Sequence, residues 1–381
     1  MALFLTEEQQ MLADTARPFM ADNAPVSHLR ALRDGKDQTG FSRDLWKQFA
    51  EMGFIGILAA EGDGGLGLGH VEAGVVLEEM GRNLTPSPFL STAVGAVTAL
   101  NLGSAEQRGR WLPGIIAGET VAALAFEEGA RHRPERVGLT ATRSGNGFRL
   151  DGAKGFVVHG HVADFVIVSA RTAGGPDDVD GVTLFAVPGG AKGLTAKAER
   201  LADSGVAARL EFDGVEVDGG AVIGALDQGA GALGRVLSAV RAGSAAEMLG
   251  VAAASAEMTL GYLKERKQFG QLIGSFQALQ HRAAHLYSEL EVARAAVLKA
   301  QQLLDAGEAE ASRADAAASV AKGMVGLASV LSVQEGVQMH GGMGMTDAYD
   351  IGLFMKRQRV LAELFGDSDY HAERLARLSG Y

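Results

Sequence analysis

Three groups of residues have the types and spacing for chemistry. The first is Arg266-Lys267-Gln268-Phe269-Gly270, followed by Ser275-Phe276-Gln277. A guanidinium presents a planar fork of N–H donors that meets phosphate oxygens in pairs, and a neighbouring ring and amide add a face and another hydrogen bond. Alone, an arginine at a helix end serves the helix dipole or a surface ion pair. Grouped with Phe269 and Gln277, it suits a ligand that carries both phosphate and rings. The second group is Gln338-Met339-His340-Gly341-Gly342-Met343-Gly344-Met345. One glycine is enough to end a helix, whereas several in succession let backbone N–H groups approach an anion without Cβ obstruction. The third is Glu247, flanked by Ala245, Ala246, Met248 and Leu249. Desolvation in such a stripe raises a carboxyl pKa toward the range of a general base. A buried acid paired with Arg241 or Arg235 is the other reading, and both stand at this point.

Other chemistries find less support. His281 and His285 are four apart on a helix, but no third ligand accompanies them and H-E-x-x-H is absent, so no metal is expected. His159-Gly160-His161 closes a strand-like run, where polar residues are commonplace, and no G-x-S-x-G occurs. The absence of cysteine removes thiolate nucleophiles and disulfides together. A net charge of −11 and a pI near 5.4 repel a phosphate backbone, so nucleic acid is not an expected partner. No run reaches the roughly 18 uncharged apolar residues of a membrane span. The start, Met1-Ala2-Leu3-Phe4-Leu5-Thr6-Glu7-Glu8, lacks the basic flank of a secretory leader, so a cytoplasmic location is expected.

The elements that position these groups follow from periodicity. A chain of 381 residues exceeds what one core organises. Residues 1–119 read as helical: Thr6 with Glu7, Glu8 and Gln9 starts one helix and Ser42 another. The glycines at 65, 67 and 69 alternate and miss the G-x-G-x-x-G order, so they read as a helix-connecting loop. Over 120–226 short alternating runs predict strands at 121–126, 139–143, 148–151, 156–159, 165–170, 182–187, 209–212 and 215–217, forming a small antiparallel barrel or sandwich. From 227 to 381 long stripes spaced three and four apart predict a helical bundle. The fold class is α+β and multidomain, in the order α, β, α.

Gly-Gly-Leu-Gly-Leu at 64–68, the Arg266 to Gln277 stretch and the Gln338 to Thr346 stretch, in that order of domains, resemble the acyl-CoA dehydrogenase family over nearly the whole chain. The resemblance implies a helical domain, a β domain and a four-helix bundle that enclose FAD and an acyl-CoA, with each subunit completing its neighbour's flavin site. It places Arg266 on the FAD pyrophosphate, Phe269 and Gln277 on the adenosine side, and Gln338, Gly341 and Gly342 on the same cofactor. Ala125, Phe126, Phe156 and Val158 match positions that touch the isoalloxazine ring, and Arg241 matches a helix arginine near the thioester. The implied reaction is α,β-dehydrogenation: a carboxylate removes the α-proton, the β-hydride passes to flavin N5, and electrons leave to an electron-transfer flavoprotein.

Two stretches depart from the family pattern. Phe365 occupies the position where many members carry the catalytic glutamate, and Phe126-Glu127-Glu128-Gly129 replaces a Thr-Glu-Pro pattern. The ending Leu364-Phe365-Gly366-Asp367 is similar to small subunits of heteromeric bacterial members that act on pimeloyl-CoA or steroid side-chain CoA esters. This implies a larger homologous partner in a heterotetramer, or else a homo-oligomer, and a bulky or dicarboxylic acyl-CoA. Either Glu247 is a relocated base or the chain is the non-catalytic half of a pair that completes its partner's FAD site. A flavin oxidase or desulfinase on the same fold is a further alternative.

Overall fold

The computed structural model describes residues 3–381; Met1 and Ala2, which begin the leader reading, lie outside them. Helices α1 (Glu7–Asn23), α2 (Val26–Asp34), α3 (Arg43–Glu51), α4 (His70–Arg82), α5 (Val97–Asn101) and α6 (Ala105–Ile116) come first. Strands β1 (Ala122–Ala125), β2 (Thr140–Ser144), β3 (Gly147–Val158), β4 (Phe165–Arg171), β5 (Val182–Pro188), β6 (Leu194–Arg200), β7 (Val206–Asp218) and β8 (Val222–Ile223) follow. Then come α7 (Gly229–Glu265), a hairpin of β9 (Lys267–Gln268) and β10 (Gln271–Leu272), and α8 (Gln277–Asp305), α9 (Ala311–His340), α10 (Ile351–Glu363) and α11 (Ser368–Leu378). The predicted order α, β, α is observed.

Packing divides the described chain into two compact units that do not follow the three-part division of the sequence. One gathers 35–69 with 86–240; the other gathers the segment up to Asp34 with 70–85 and 241–381.

In the first unit the sheet runs β6-β7-β3-β2-β4-β5-β8, with β1 paired to β4. Most pairings are antiparallel as expected, but β1 and β2 each meet β4 in parallel. The runs predicted at 148–151 and 156–159 are one strand, as are those at 209–212 and 215–217, because register shifts between Leu150 and Gly152 and between Lys154 and Val157 bend the β3/β7 ladder without ending it. β6 escaped prediction: it is an edge strand exposed at nearly every residue, so it carries no apolar alternation. The core beneath the sheet includes Ala125, Phe148, Leu150, Phe185 and Phe212.

The second unit is helical. α1 begins where Thr6 Oγ1 accepts from the Gln9 N–H at 3.3 Å while Gln9 Oε1 accepts from the Thr6 N–H at 3.0 Å, the reciprocal cap its sequence predicts. α4 lies against α7 at a contact that only glycine permits. A Cβ on Gly81 would sit 2.0 Å from the Glu247 carbonyl oxygen, and one on Gly250 would sit 1.9 Å from that of Glu78. This close approach explains why α4, which also packs against α1, belongs with the C-terminal helices. α7 and the helical stretch Glu308–Met345 that contains α9 are long and apolar enough to cross a bilayer, with 18-residue windows of mean hydropathy 1.2 and 1.6, although, as expected, neither holds 18 residues in a row without a charge. The α7 window is wholly buried within the protein, so its apolar length builds core, whereas only 56% of the α9 window is buried.

Candidate functional site

The residues singled out fall into three clusters, one in the sheet unit and two in the helical unit. In the sheet unit, Ala125 ends β1 and is buried together with Phe126. The Gly155 N–H donates to the Glu127 carbonyl at 2.8 Å, an isolated bridge that draws the end of β1 against the bulge of β3. Ala125, Phe126, Phe156 and Val158 therefore share one corner of the sheet. Phe156 holds φ at +51°, a conformation that costs a bulky residue about 1–3 kcal/mol and persists where the surroundings over-determine it.

The same corner explains the two glutamates that depart from the family pattern. Lys154, fully buried on β3, donates to Glu128 Oε1 at 2.7 Å and to Ser169 Oγ at 2.9 Å. Glu128 also accepts from the N–H groups of Gly138 and Leu139. Burial alone would raise the Glu128 pKa, but the Lys154 ammonium and these donors outweigh it and hold it below the usual value; burial lowers that of Lys154. Glu127 meets His132 Nδ1 at 2.5 Å. Both acids brace the loop after β1. Sequence reasoning missed Lys154, although a lysine at an inward position of an alternating strand is the signal that could have found it.

At one end of the helical unit, α7 stops at Glu265 and the chain makes the β9/β10 hairpin. Phe269 and Gly270 form its turn with φ of +54° and +78°, the left-handed pair that suits a two-residue hairpin. Phe269 is 89% exposed, its ring edge-on to that of Phe276 with centroids 6.1 Å apart. Arg266 and Gln277 flank the hairpin, exposed, with no side-chain hydrogen bond or ion pair among the described residues. The glycine turn lies at the same end, because His340 packs between Tyr262 and Tyr349, with ring centroids 4.4 and 4.7 Å away. Tyr262 is one turn before Arg266 and His340 directly precedes Gly341, so the two motifs are brought together.

The three glycines differ in what requires them. Gly344 packs, since a Cβ there would lie 2.7 Å from the Val337 carbonyl oxygen, and Gly341 needs its φ of +60°. Gly342 has neither reason: nothing lies within 4 Å of a Cβ placed on it. Gln338 is exposed on the preceding turn. Free donors around open space, an unshielded ring and backbone N–H groups unobstructed by side chains fit a phosphate-bearing, ring-bearing cofactor such as FAD.

The third cluster holds Glu247, Arg241 and Phe365. Arg357 of α10 donates to Glu247 Oε1 from Nε at 2.9 Å and from Nη2 at 2.5 Å, and the carboxylate is buried. The sequence-based pairing of Glu247 with Arg241 or Arg235 is corrected: its partner lies 110 residues further on. Arg241, expected beside a thioester, is buried among side chains. It donates to the Phe365 carbonyl at 3.4 Å and the Tyr370 hydroxyl at 3.1 Å, and lies 3.9 Å from Asp315. Burial lowers its pKa. Phe365 is half-buried with φ of +62°.

His281 and His285 join no third ligand. His285 faces Glu289 at 3.4 Å, and among the described residues no group of three potential metal ligands converges.

Comparison with known proteins gives a consistent result. The sequence pattern of the acyl-CoA dehydrogenase N-terminal domain matches residues 6–119, that of the middle domain 123–215 and that of the C-terminal domain 227–379. A 3-(aryl)acrylate reductase of Clostridium sporogenes is 29% identical over 96% of this chain and 97% of its own. Among solved structures, a variant of the Tcur3481-Tcur3483 steroid ACAD superposes with a TM-score of 0.88 at 32% identity over 98% of both chains. The ChsE4-ChsE5 complex from Mycobacterium tuberculosis gives 0.88 at 26% identity over 100% of both.

Proposed function

Since the chain belongs to the acyl-CoA dehydrogenase family, oxidoreductases that act on CH–CH bonds, we propose that it is the base-lacking subunit of a heteromeric dehydrogenase. The observation that carries this reading is the state of its two candidate base positions. Residue 365 is a phenylalanine, which cannot take a proton. Glu247 is bound to Arg357 through two N–H groups, which suits a buried structural ion pair. A homologous partner would then supply the carboxylate.

FAD, when bound, supplies the acceptor for two electrons. In this chain Arg266 would hold the pyrophosphate, Phe269 and Gln277 the adenosine side, and Gln338, Gly341 and Gly342 would approach through amide and backbone donors. Ala125, Phe126, Phe156 and Val158 would shape the flavin-ring end. A ring as exposed as Phe269 and a half-covered α9 with Leu327 67% exposed both support completion of the site by a second subunit. Likeness to a steroid enzyme and to a two-component complex supports a bulky acyl-CoA and a heteromeric assembly. An electron-transfer flavoprotein is the proposed acceptor.

Expression alone and with each homologous subunit of the same genome tests the reading. The matching pair should purify yellow, and a panel of acyl-CoA esters should contain one that bleaches it anaerobically. No flavin in any pairing would overturn it.

A further inference from the structure

Lys322 has no part in the site described so far, yet it is among the most enclosed charges in the protein. It lies on α9, 1% exposed. Its Nζ donates to the carbonyls of Leu361 at 2.9 Å, Ala362 at 3.1 Å and Gly366 at 2.9 Å. Leu361 and Ala362 belong to the last turn of α10, whose carbonyls lack intrahelical donors. Gly366 lies beyond the helix. The ammonium therefore joins backbone on both sides of residue 365. The Phe365 carbonyl is held from other directions by Arg241 of α7 and by His371 Nε2 of α11 at 3.2 Å.

A cap alone does not require this arrangement. Burying an ammonium with no carboxylate in ion-pair reach is expensive, and a glycine or an exposed lysine would finish α10 more cheaply. What the buried charge adds is a rigid span across a bulky residue whose φ of +62° the chain would otherwise leave. The charged groups that face Lys322 are Arg241 from α7, Glu363 from α10 and Asp367 at the start of α11. Burial and Arg241 push its pKa down to about 7 against the opposing pull of the two acids.

We propose that Lys322 is a positioning residue: by bridging the carbonyls that flank residue 365 it fixes the direction in which that side chain leaves the backbone, and so sets one wall of the acyl-thioester site. The placement of residue 365 follows from geometry alone, while the wall rests on the function proposed above.

The test uses the full-length chain with 4-fluorophenylalanine at 365, followed by ¹⁹F NMR, in wild type, Lys322→Met and Lys322→Arg. The wild-type ring should give one resonance displaced from the free amino acid. Lys322→Met should move it toward the free value, and Lys322→Arg, too wide to reach all three carbonyls, should move it in part. Lys322→Arg keeps the charge and carries the readout if Lys322→Met fails to fold. An unmoved ring with a lowered Tm, in either variant, would show a mere helix cap and overturn the proposal. Titration with octanoyl-CoA and phenylpropionyl-CoA then separates the two readings. A ring that responds to Lys322 but to neither ester leaves the positioning role standing and removes the wall. With the active complex, Lys322→Met should raise KM for the preferred ester about tenfold with kcat within about twofold.

Discussion

Arg357 grips a single oxygen of Glu247 through Nε and Nη2, at 2.9 and 2.5 Å, where α10 crosses α7. The pair lies beside the contact in which the Glu247 carbonyl faces Gly81 of α4, so the residue is fixed at its backbone and at its side chain. Two charge-assisted bonds tether the carboxylate to α10, which fits a structural acid.

Glu247→Gln in the assembled enzyme should therefore keep turnover within about twofold while lowering stability by about 1–3 kcal/mol, the cost of a neutralised partner in a buried charge-assisted bond. Steady-state turnover beside urea unfolding reads both. A loss of turnover near a hundredfold in a folded variant would restore Glu247 as the base.

The α4/α7 contact makes a prediction whose sign reverses between two glycines of one helix. Gly250→Ala should destabilise by roughly 3 kcal/mol or more, because its Cβ would fall 1.9 Å from a backbone oxygen that cannot retreat. Gly261→Ala, with nothing within 4 Å, should stabilise by about 0.5–1 kcal/mol through helix propensity. Equal effects at the two positions, measured by denaturant midpoint, would refute the close approach of the helices.

How far the sequence reveals the site depends on whether each residue acts locally. Phe269 stands in the turn of one hairpin with Arg266 and Gln277 close on either side, and the glycines stand at one helix end, so their grouping is readable as text. That both motifs meet at one end of the unit is not readable, because it depends on Tyr262 and His340, ordinary aromatic residues in their own segments. The partner of Glu247 was missed for a similar reason: a sequence shows which arginines share a helix, not which helix crosses it 110 residues later. Lys154 and Lys322 were overlooked because lysine is usually at the surface. The order of domains was legible from periodicity, but α4 joins distant helices through Gly81 and Gly250, and no periodicity encodes that.

Lys322 gives stability a pH dependence of definite sign. Its pKa is about 7 in the fold against 10.5 for the free side chain, so between these values the unfolded chain binds more protons. Its contribution to unfolding free energy then rises with pH across that window and is flat below it, the reverse of a lysine stabilised by an ion pair. Lys322→Met should remove this rise. Urea midpoints at pH 7 and pH 9.5, compared between wild type and variant, measure it; an identical pH response in the two would show that Lys322 does not titrate in that range.

Arg266 offers the sharpest separation of binding from folding. Its side chain is exposed and makes no bond within the described chain, so its removal should leave stability within about 0.5 kcal/mol. Arg266→Ala should nevertheless lower flavin content of the purified complex several-fold, since an exposed guanidinium with no internal partner has its work outside the chain. Arg266→Lys tests geometry beyond charge: an ammonium keeps the attraction but loses the bidentate fork, so retention should fall between wild type and alanine. Absorbance at the flavin band relative to protein, with Tm recorded in parallel, gives both readings. Full flavin content in Arg266→Ala would remove the pyrophosphate role from this end of the bundle, and with it the reason for Phe269 to stand exposed beside it.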